Sequence, residues 1–308
     1  MSSEADWIAV DWGTSNLRAW GIGNGGDVLF SRVSDQGMGK LARNAFPGAL
    51  DSLLSGAVAA AGPPLEVLIC GMAGARQGWL EAPYLDAPAD LGGLIFSAVR
   101  PDLPSVRLAP RILPGVCQKV SGAEDVMRGE ETQLLGLAAL RPGFSGVVCM
   151  PGTHSKWVEL DGSRLERFST AMTGELFEAL GVHTVLRHSL AGEQMGPATE
   201  DGVSAGLAAG LERPELLTSL LFRTRAAALL SGKGPDWCSG YLSGVLVGAE
   251  VGGRRAAIGS TPVPLIGSAR LCRLYSAALA QIGVQSEAID ATEATIAGLI
   301  EARRQGLS

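Results

Sequence analysis

The chain repeats itself. Residues Trp7 to Val33 read as a strand (7–11), a Gly-Thr turn, a strand (17–22), the Gly-rich turn "GNGGD" and a third strand (28–33). Residues Val147 to Ser169 follow the same plan, with strands at 147–150, 156–160 and 164–169 separated by "PGTHS" and an Asp-Gly turn. Turn formers set between alternating apolar and polar runs mark hairpins, and two successive hairpins make a three-stranded meander. Gly152-Thr153 follows Gly13-Thr14 by 139 residues, and the same offset brings the third strands close to register. Each meander leads into helical material, 46–61 and 174–188, and the first half adds a strand at 66–71. A duplication of this kind restricts the chain to two α/β domains of one plan. At 308 residues it exceeds what one core usually serves. The boundary is expected in "PGVCQKVSGAE", dividing 1–118 from 119–308, with a cleft between the two domains.

Charge narrows the partners. The balance is 25 basic against 31 acidic side chains, net -6, without a run of even four basic residues. A dedicated nucleic-acid or anionic-membrane surface is therefore not expected, and an anionic substrate must be held by individual Arg or Lys side chains. Cysteines stand alone at 70, 117, 149, 238 and 272 with no C-x-x-C pair, so neither a disulfide framework nor a zinc site is encoded. Cys70 and Cys149 lie in apolar runs and are expected to be buried. "MSSEADW" lacks the basic and apolar regions of a leader, and the most apolar window, Tyr241 to Val251, carries Glu250. A cytoplasmic protein with no membrane span is the expectation; the oligomeric state is not legible.

The two copies differ where chemistry is at stake. Asp11 stands two residues before Gly13, whereas Met150 stands two residues before Gly152. An acid needed only for folding would more naturally occur in both. A Gly-Thr turn presents successive backbone N–H groups and a hydroxyl, a small nest for phosphate oxygens. That makes Gly13, Thr14, Ser15 and Asn16, and in the second copy Gly152, Thr153, His154 and Ser155, candidate nucleotide-binding residues. The same residue types also build ordinary hairpin turns. Asp11 is the candidate ligand of the Mg²⁺ that accompanies nucleotide phosphates.

Between the loops, in "SGAEDVMRGEETQLLGLAAL", Glu131, Leu134, Leu135 and Ala138 fall on helical spacing. Glu130 and Glu131 then enter at the first turn, where the helix dipole favours negative charge. One of them is a candidate general base, the plain alternative being a solvated acidic helix start. Near the C-terminus an apolar strand ends at Ile266, and Gly267-Ser268 opens a helix with Leu271, Leu274, Tyr275 and Ala278 on one face. Glycine at such a turn lets a flat ring approach the backbone.

The paired loops and "LIGSARL" resemble the phosphate-1, phosphate-2 and adenosine motifs of the sugar kinase, Hsp70 and actin superfamily. More narrowly, "VDWGTSNLRAW", "GMAGARQGW", "MRGEETQLLG", "MPGTHSKWV", "AMTGELFEAL" and "YLSGVLVGAEV" are similar to the 2-dehydro-3-deoxygalactonokinase family, in order and over nearly the whole chain. The resemblance implies an α/β fold of two duplicated ribonuclease-H-like (actin-like ATPase) domains with an interdomain cleft. It implies ATP and Mg²⁺ as cofactors and a small sugar acid as substrate, phosphorylated at its terminal hydroxyl in galactonate breakdown. The N-terminal domain would carry the phosphate-1 loop and the sugar-acid site, and the C-terminal domain the phosphate-2 and adenosine sites.

In related kinases an Asp in a "GD" turn before the second loop is the base. Gly129-Glu130 occupies that place, leaving Glu130 or Glu131 open, and Lys156 is a candidate to neutralise the transferring phosphoryl group. For the substrate carboxylate Arg76 is the first candidate and Arg18 the second. Gln36, Gly37, Thr173 and Glu175, beside Gly174, are further candidate substrate contacts. A kinase for another small sugar or sugar acid, a nucleotide-switch protein and a two-metal nuclease are the competing readings.

Overall fold

Trp7, Ile8, Ala9 and Val10 are all buried, which places the first strand, β1 (Trp7–Trp12), inside a sheet and not at its edge. It pairs antiparallel with β2 (Leu17–Ile22), which in turn pairs with β3 (Val28–Ser34). The computed structural model describes residues 5–58, 62–103, 107–190 and 196–307. After β3, helix α1 (Phe46–Leu54) lays Phe46 against Trp12 and Trp79, with ring centroids 4.8 and 6.2 Å away. It is shorter than the expected 46–61, because Ser55 leaves the helical region and Gly56 takes φ +72°; residues 59–61 lie outside the described residues.

Strand β4 (Leu65–Gly71) runs parallel to β1. The short strands β5 (Tyr84–Asp86) and β6 (Ala89–Asp90) come next, and then β7 (Leu108–Ile112) pairs parallel with β4. The first sheet thus has the order β3-β2-β1-β4-β7. Strands β8 (Gly115–Gln118) and β9 (Asp125–Met127) form a small sheet with β5 and lead into α2 (Glu130–Leu140).

The second meander is β10 (Ser145–Met150), β11 (Ser155–Asp161) and β12 (Arg164–Ala171). Helix α3 (Thr173–His183) follows and gives way to a 3-10 turn at Val185–Ser189, so the helical material expected over 174–188 is two elements. Helices α4 (Pro197–Glu212), α5 (Leu217–Leu230), α6 (Pro235–Gly253) and the short α7 (Arg255–Ile258) precede β13 (Val263–Gly267), α8 (Ala269–Gln281) and β14 (Ser286–Asp290). In this sheet the order is β14-β13-β10-β11-β12-β6, with β13 parallel to both β10 and β14 and the two-residue β6 antiparallel to β12 at the edge. With the short β6 left aside, the strands of both sheets, ranked by position in the chain, run 3-2-1-4-5, two antiparallel hairpins followed by parallel strands on the other side of the first strand.

The last helix, α9 (Ala291–Gln305), packs on α2. The chain divides into two compact units, Met1–Ser145 with Leu160–Phe168 and Ala291–Ser308, and Gly146–Glu159 with Ser169–Asp290. The boundary expected at 118 falls inside the first unit, because β8 pairs with β5 and β9 with β8, and because α2 packs on α9. The core of the first unit gathers Trp12, Phe46, Leu50, Val67, Ile69 and Trp79. That of the second gathers Cys149, Trp157, Val247, Leu265, Tyr275 and Leu279. All five cysteines are free and buried, as their apolar settings suggested for Cys70 and Cys149. Among the described residues no helix is long and apolar enough to cross a membrane.

Candidate active site

In the first unit the parallel strands β1 and β4 end side by side, Asp11 opposite Cys70 and Trp12 opposite Gly71. Gly71 takes φ +90° and Gly129 φ +108°, values that side chains other than glycine rarely adopt. A β-carbon on Gly129 would lie 3.2 Å from the Gly71 Cα, and one on Gly71 would lie 3.4 Å from Oδ1 of Asp11. Two glycines thus let the end of β4 and the start of α2 meet beside Asp11. The Asp11 carboxyl is held above its ordinary pKa, chiefly by desolvation; the charge of Arg18, its partner across β2, opposes this and the charge of Glu130 adds to it. A buried carboxylate beside a second one suits a cation.

The adjacent glutamates have different surroundings. Glu130 is half-buried, and its Oε2 accepts the backbone N–H of Arg128 at 3.0 Å. Glu131 is 0% exposed and accepts the Gly129 N–H on both oxygens, at 2.9 and 2.7 Å. Burial, and then the charge of Glu130, push its pKa up to about 8.

The first Gly-Thr turn is closed by the Gly13 N–H donating to the Asn16 carbonyl at 2.9 Å, with Thr14, Ser15 and Asn16 exposed. Gln36 and Gly37 back this loop. The Gln36 carbonyl accepts from Trp12 Nε1, and a β-carbon on Gly37 would lie 2.2 Å from the Ser15 carbonyl carbon. Met38 and Gly39 then donate their N–H groups to the Gly13 and Thr14 carbonyls, each at 2.9 Å. The Arg76 side chain is 82% exposed and its Nε stands 3.8 Å from Glu81.

The second unit builds its loop in the same manner. Thr153 and His154 are exposed between β10 and β11, and Gly174, at the start of α3, packs against the Gly152 carbonyl and Thr153. Glu175 donates its N–H to the Thr153 carbonyl at 3.0 Å, and its carboxylate meets His154 Nε2 at 2.5 Å. The Lys156 ammonium is largely buried and reaches the His154 carbonyl at 3.5 Å. Ser155 turns inward, its hydroxyl 2.7 Å from that of Tyr275. At the end of β13, Gly267 comes close to the Pro151 carbonyl, and Ser268 caps α8 by accepting the Leu271 N–H.

Two residues that the sequence reading did not place at the site belong to its surroundings. Glu250 of α6 accepts from Trp157 Nε1 and from the Tyr275 hydroxyl, both at 2.6 Å, and from the Thr173 hydroxyl. Its signal was a single carboxylate in the most apolar window of the chain. Arg128, directly before Gly129, is buried, and two of its guanidinium nitrogens have no hydrogen-bond partner among the described residues. Its signal was a lone basic residue directly before the Gly-Glu turn.

The 2-keto-3-deoxy-galactonokinase family model matches residues 11–302. A Rhizobium meliloti (strain 1021) protein named "Probable 2-dehydro-3-deoxygalactonokinase DgoK1" is 46% identical over 307 residues, 99% of this chain and 98% of its own length. The 2-dehydro-3-deoxygalactonokinase of Escherichia coli (strain K12) is 37% identical over 298 residues, 96% of each chain. The crystal structure of a Sinorhizobium meliloti protein named "putative 2-dehydro-3-deoxygalactonokinase protein" superposes with a TM-score of 0.89 at 46% identity, over 97% of this chain and 98% of that one. The chain belongs to the 2-keto-3-deoxy-galactonokinase family.

Proposed function

We propose that the protein transfers the terminal phosphoryl group of ATP to the 6-hydroxyl of 2-dehydro-3-deoxy-D-galactonate, giving 2-dehydro-3-deoxy-6-phosphogalactonate and ADP in galactonate breakdown. The observation that carries the reading is the meeting of Asp11 and Glu130 beside Gly71 and Gly129, in the one copy of the repeat that has the acid. Family membership over 11–302 gives that pair its reaction. The duplicated ribonuclease-H-like plan is part of the proposal and is supported by the 3-2-1-4-5 order that the two sheets share once the short β6 is left aside.

Glu130 is the better candidate for the base. It is half-buried and coupled to Asp11, whereas Glu131 has no exposed surface and both its oxygens are engaged by Gly129. A base must come within hydrogen-bond reach of the hydroxyl it deprotonates. Asp11 is the candidate Mg²⁺ ligand. Among the described residues no cluster of three or more His, Cys, Asp or Glu is placed to hold a metal, which suits an ion usually bound by one or two carboxylates together with phosphates and water. Bound there, Mg²⁺ would neutralise phosphate charge.

The loops Gly13–Asn16 and Gly152–Ser155 would offer N–H groups and hydroxyls to the ATP phosphates, with Gly267 and Ser268 beside the base. Backbone donors already fixed by the buttressing of Gly37 and Gly174 need no reordering when phosphate arrives. Lys156 would supply positive charge to the transferring group. Arg18 and Arg76 remain candidate partners of the sugar acid, with Gln36, Gly37, Thr173 and Glu175 shaping the loops around it. Transfer of this kind depends on positioning and charge neutralisation more than on covalent chemistry.

The test is ADP release with Mg-ATP and a panel of 2-dehydro-3-deoxygalactonate, 2-dehydro-3-deoxygluconate, galactonate, glucose and galactose. Strong preference for the first supports the reading; turnover of a different member, or of none, refutes it.

A further inference from the structure

Arg128 is 9% exposed. Its Nη2 donates to the Ala82 carbonyl at 2.8 Å, and the Tyr84 ring covers one face of the guanidinium with its centroid 4.3 Å from Cζ. The buried Nε and Nη1 have no hydrogen-bond partner among the described residues. The nearby carboxylates do not supply one. Glu130 Oε2 accepts the Arg128 backbone N–H and both Glu131 oxygens accept from Gly129, so the Arg128 charge acts on Glu131 without a hydrogen bond from its guanidinium. A permanently charged group buried with N–H donors unsatisfied is destabilising unless an anion joins it. Buried polar groups in native proteins are otherwise nearly always paired.

The position of this charge suggests what the anion is. Arg128 stands two residues before Glu130, on the same turn that meets Gly71 beside Asp11. Its Nη1 approaches Gly74 so closely that a β-carbon there would lie 2.8 Å away, and Gly74 ends the turn Met72–Gly74 that follows Gly71. The guanidinium and the Asp11–Glu130 pair are therefore linked through the same two short segments of the first unit. Arg76, by contrast, is exposed with Glu81 beside it, and the charge of Arg18 acts on Asp11. ATP phosphates have the exposed Thr14–Asn16 loop available to them, which leaves Arg128 for the other anion of the reaction.

We propose that Arg128 binds the carboxylate of the sugar-acid substrate through Nε and Nη1, and so makes the enzyme selective for an acid over a neutral sugar. Guanidinium is suited to this because it stays charged when buried and directs several N–H donors at one ligand. The inference rests on the sugar-acid kinase reading above, and adds to it the residue that recognises the acid.

The experiment compares 2-dehydro-3-deoxygalactonate with its 1-carboxamide as acceptors, each with Mg-ATP, in the wild type, Arg128→Gln, Arg128→Lys, Arg76→Gln and Arg18→Gln. The wild type is expected to favour the acid at least a hundredfold in kcat/KM. In Arg128→Gln the ratio is expected to fall to within about fivefold, with KM for ATP little changed, and Arg128→Lys, which keeps a charge in the same space, falls between. Loss of stability alone would lower both acceptors together and leave the ratio intact. An unchanged ratio in Arg128→Gln overturns the assignment while leaving the kinase reading in place. Should Arg128→Gln fail to fold, an unchanged ratio in Arg128→Lys overturns it equally. A ratio that collapses only in Arg76→Gln or Arg18→Gln also overturns it. A wild type inactive on the acid overturns the kinase reading, and this assignment with it.

Discussion

Glu175 donates its backbone N–H to the Thr153 carbonyl at 3.0 Å, and 136 residues earlier Gly39 makes the same bond to Thr14 at 2.9 Å. In both units the residues that follow the third strand turn back and hold the Gly-Thr loop from behind. The duplication therefore extends from the strands to the support of each loop. A β-carbon on Gly37 would lie 2.2 Å from the Ser15 carbonyl carbon, and one on Gly174 would lie 2.6 Å from the Gly152 carbonyl oxygen.

Gly37→Ala and Gly174→Ala should each displace the loop they support, since the clash is with backbone and not with a flexible side chain. Overpacking of this kind costs about 1–3 kcal/mol. Thermal unfolding should show that loss, and steady-state kinetics should show a raised KM for ATP. A variant with normal Tm and normal KM for ATP would mean that the loop position does not matter to nucleotide binding.

The two adjacent glutamates give opposite expectations. Glu130→Gln should cut kcat by roughly 10²–10⁴, the usual contribution of a positioned acid or base. Glu131→Gln can still accept the Gly129 N–H, and should keep kcat within about tenfold of wild type, since both Glu131 oxygens are already engaged by that N–H. The reverse pattern would give the base to Glu131.

The strands and the Gly-Thr loops were legible because they repeat: two turns with the same residue types, one offset apart, disclose the sheets that carry them. The acid pair was legible in type, since Asp11 lacks a counterpart at Met150 and Glu130 follows a glycine at a helix start. The role of the Gln36–Gly37 segment was not. Its contact with Ser15 depends on the chain folding back after β3, which no local spacing reveals. Arg76 looked attractive because it follows a Gly-rich turn, yet exposure is a property of the folded surface. Arg128 and Glu250 were illegible for the same reason: single charges inside apolar surroundings acquire meaning only when their partners, or the lack of them, can be seen.

Stability should depend on pH through Glu131. Its folded pKa of about 8 stands above the ordinary value of 4.5, so between these limits the folded protein holds a proton that the unfolded chain releases. Stability is therefore greatest, as far as this group is concerned, below pH 4.5, falls as pH rises through the window, and levels off above pH 8. The slope approaches about 1.4 kcal/mol per pH unit in mid-window. Urea unfolding at pH 6 and pH 9 should show the loss in the wild type and much less of it in Glu131→Gln, which cannot ionise. Equal slopes in the two proteins would remove Glu131 as its source.

Glu250 supports the second loop from the interior. It receives the indole N–H of Trp157 on β11, the hydroxyl of Tyr275 on α8 and the hydroxyl of Thr173 at the start of α3. Tyr275 in turn meets Ser155 at 2.7 Å, so one carboxylate ties α6 to both ends of the loop structure and to the helix that Ser268 caps. Burial and the charge of Glu250 hold the Tyr275 pKa well above its ordinary value, keeping its proton available to donate. Removing a shared acceptor leaves several donors unsatisfied, at about 1–3 kcal/mol for each that stays dry. Glu250→Ala should therefore be strongly destabilising, and Glu250→Gln less so, because its amide oxygen still accepts while its NH₂ faces donors. Tyr275→Phe separates the branches: it breaks the links to Ser155 and Glu250 but leaves Trp157 and Thr173 bound. Its Tm should fall less than that of Glu250→Ala, with KM for ATP raised in both. If Glu250→Ala unfolds at the wild-type temperature, the three bonds do not hold the loop and the support must come from the Gly174 packing alone.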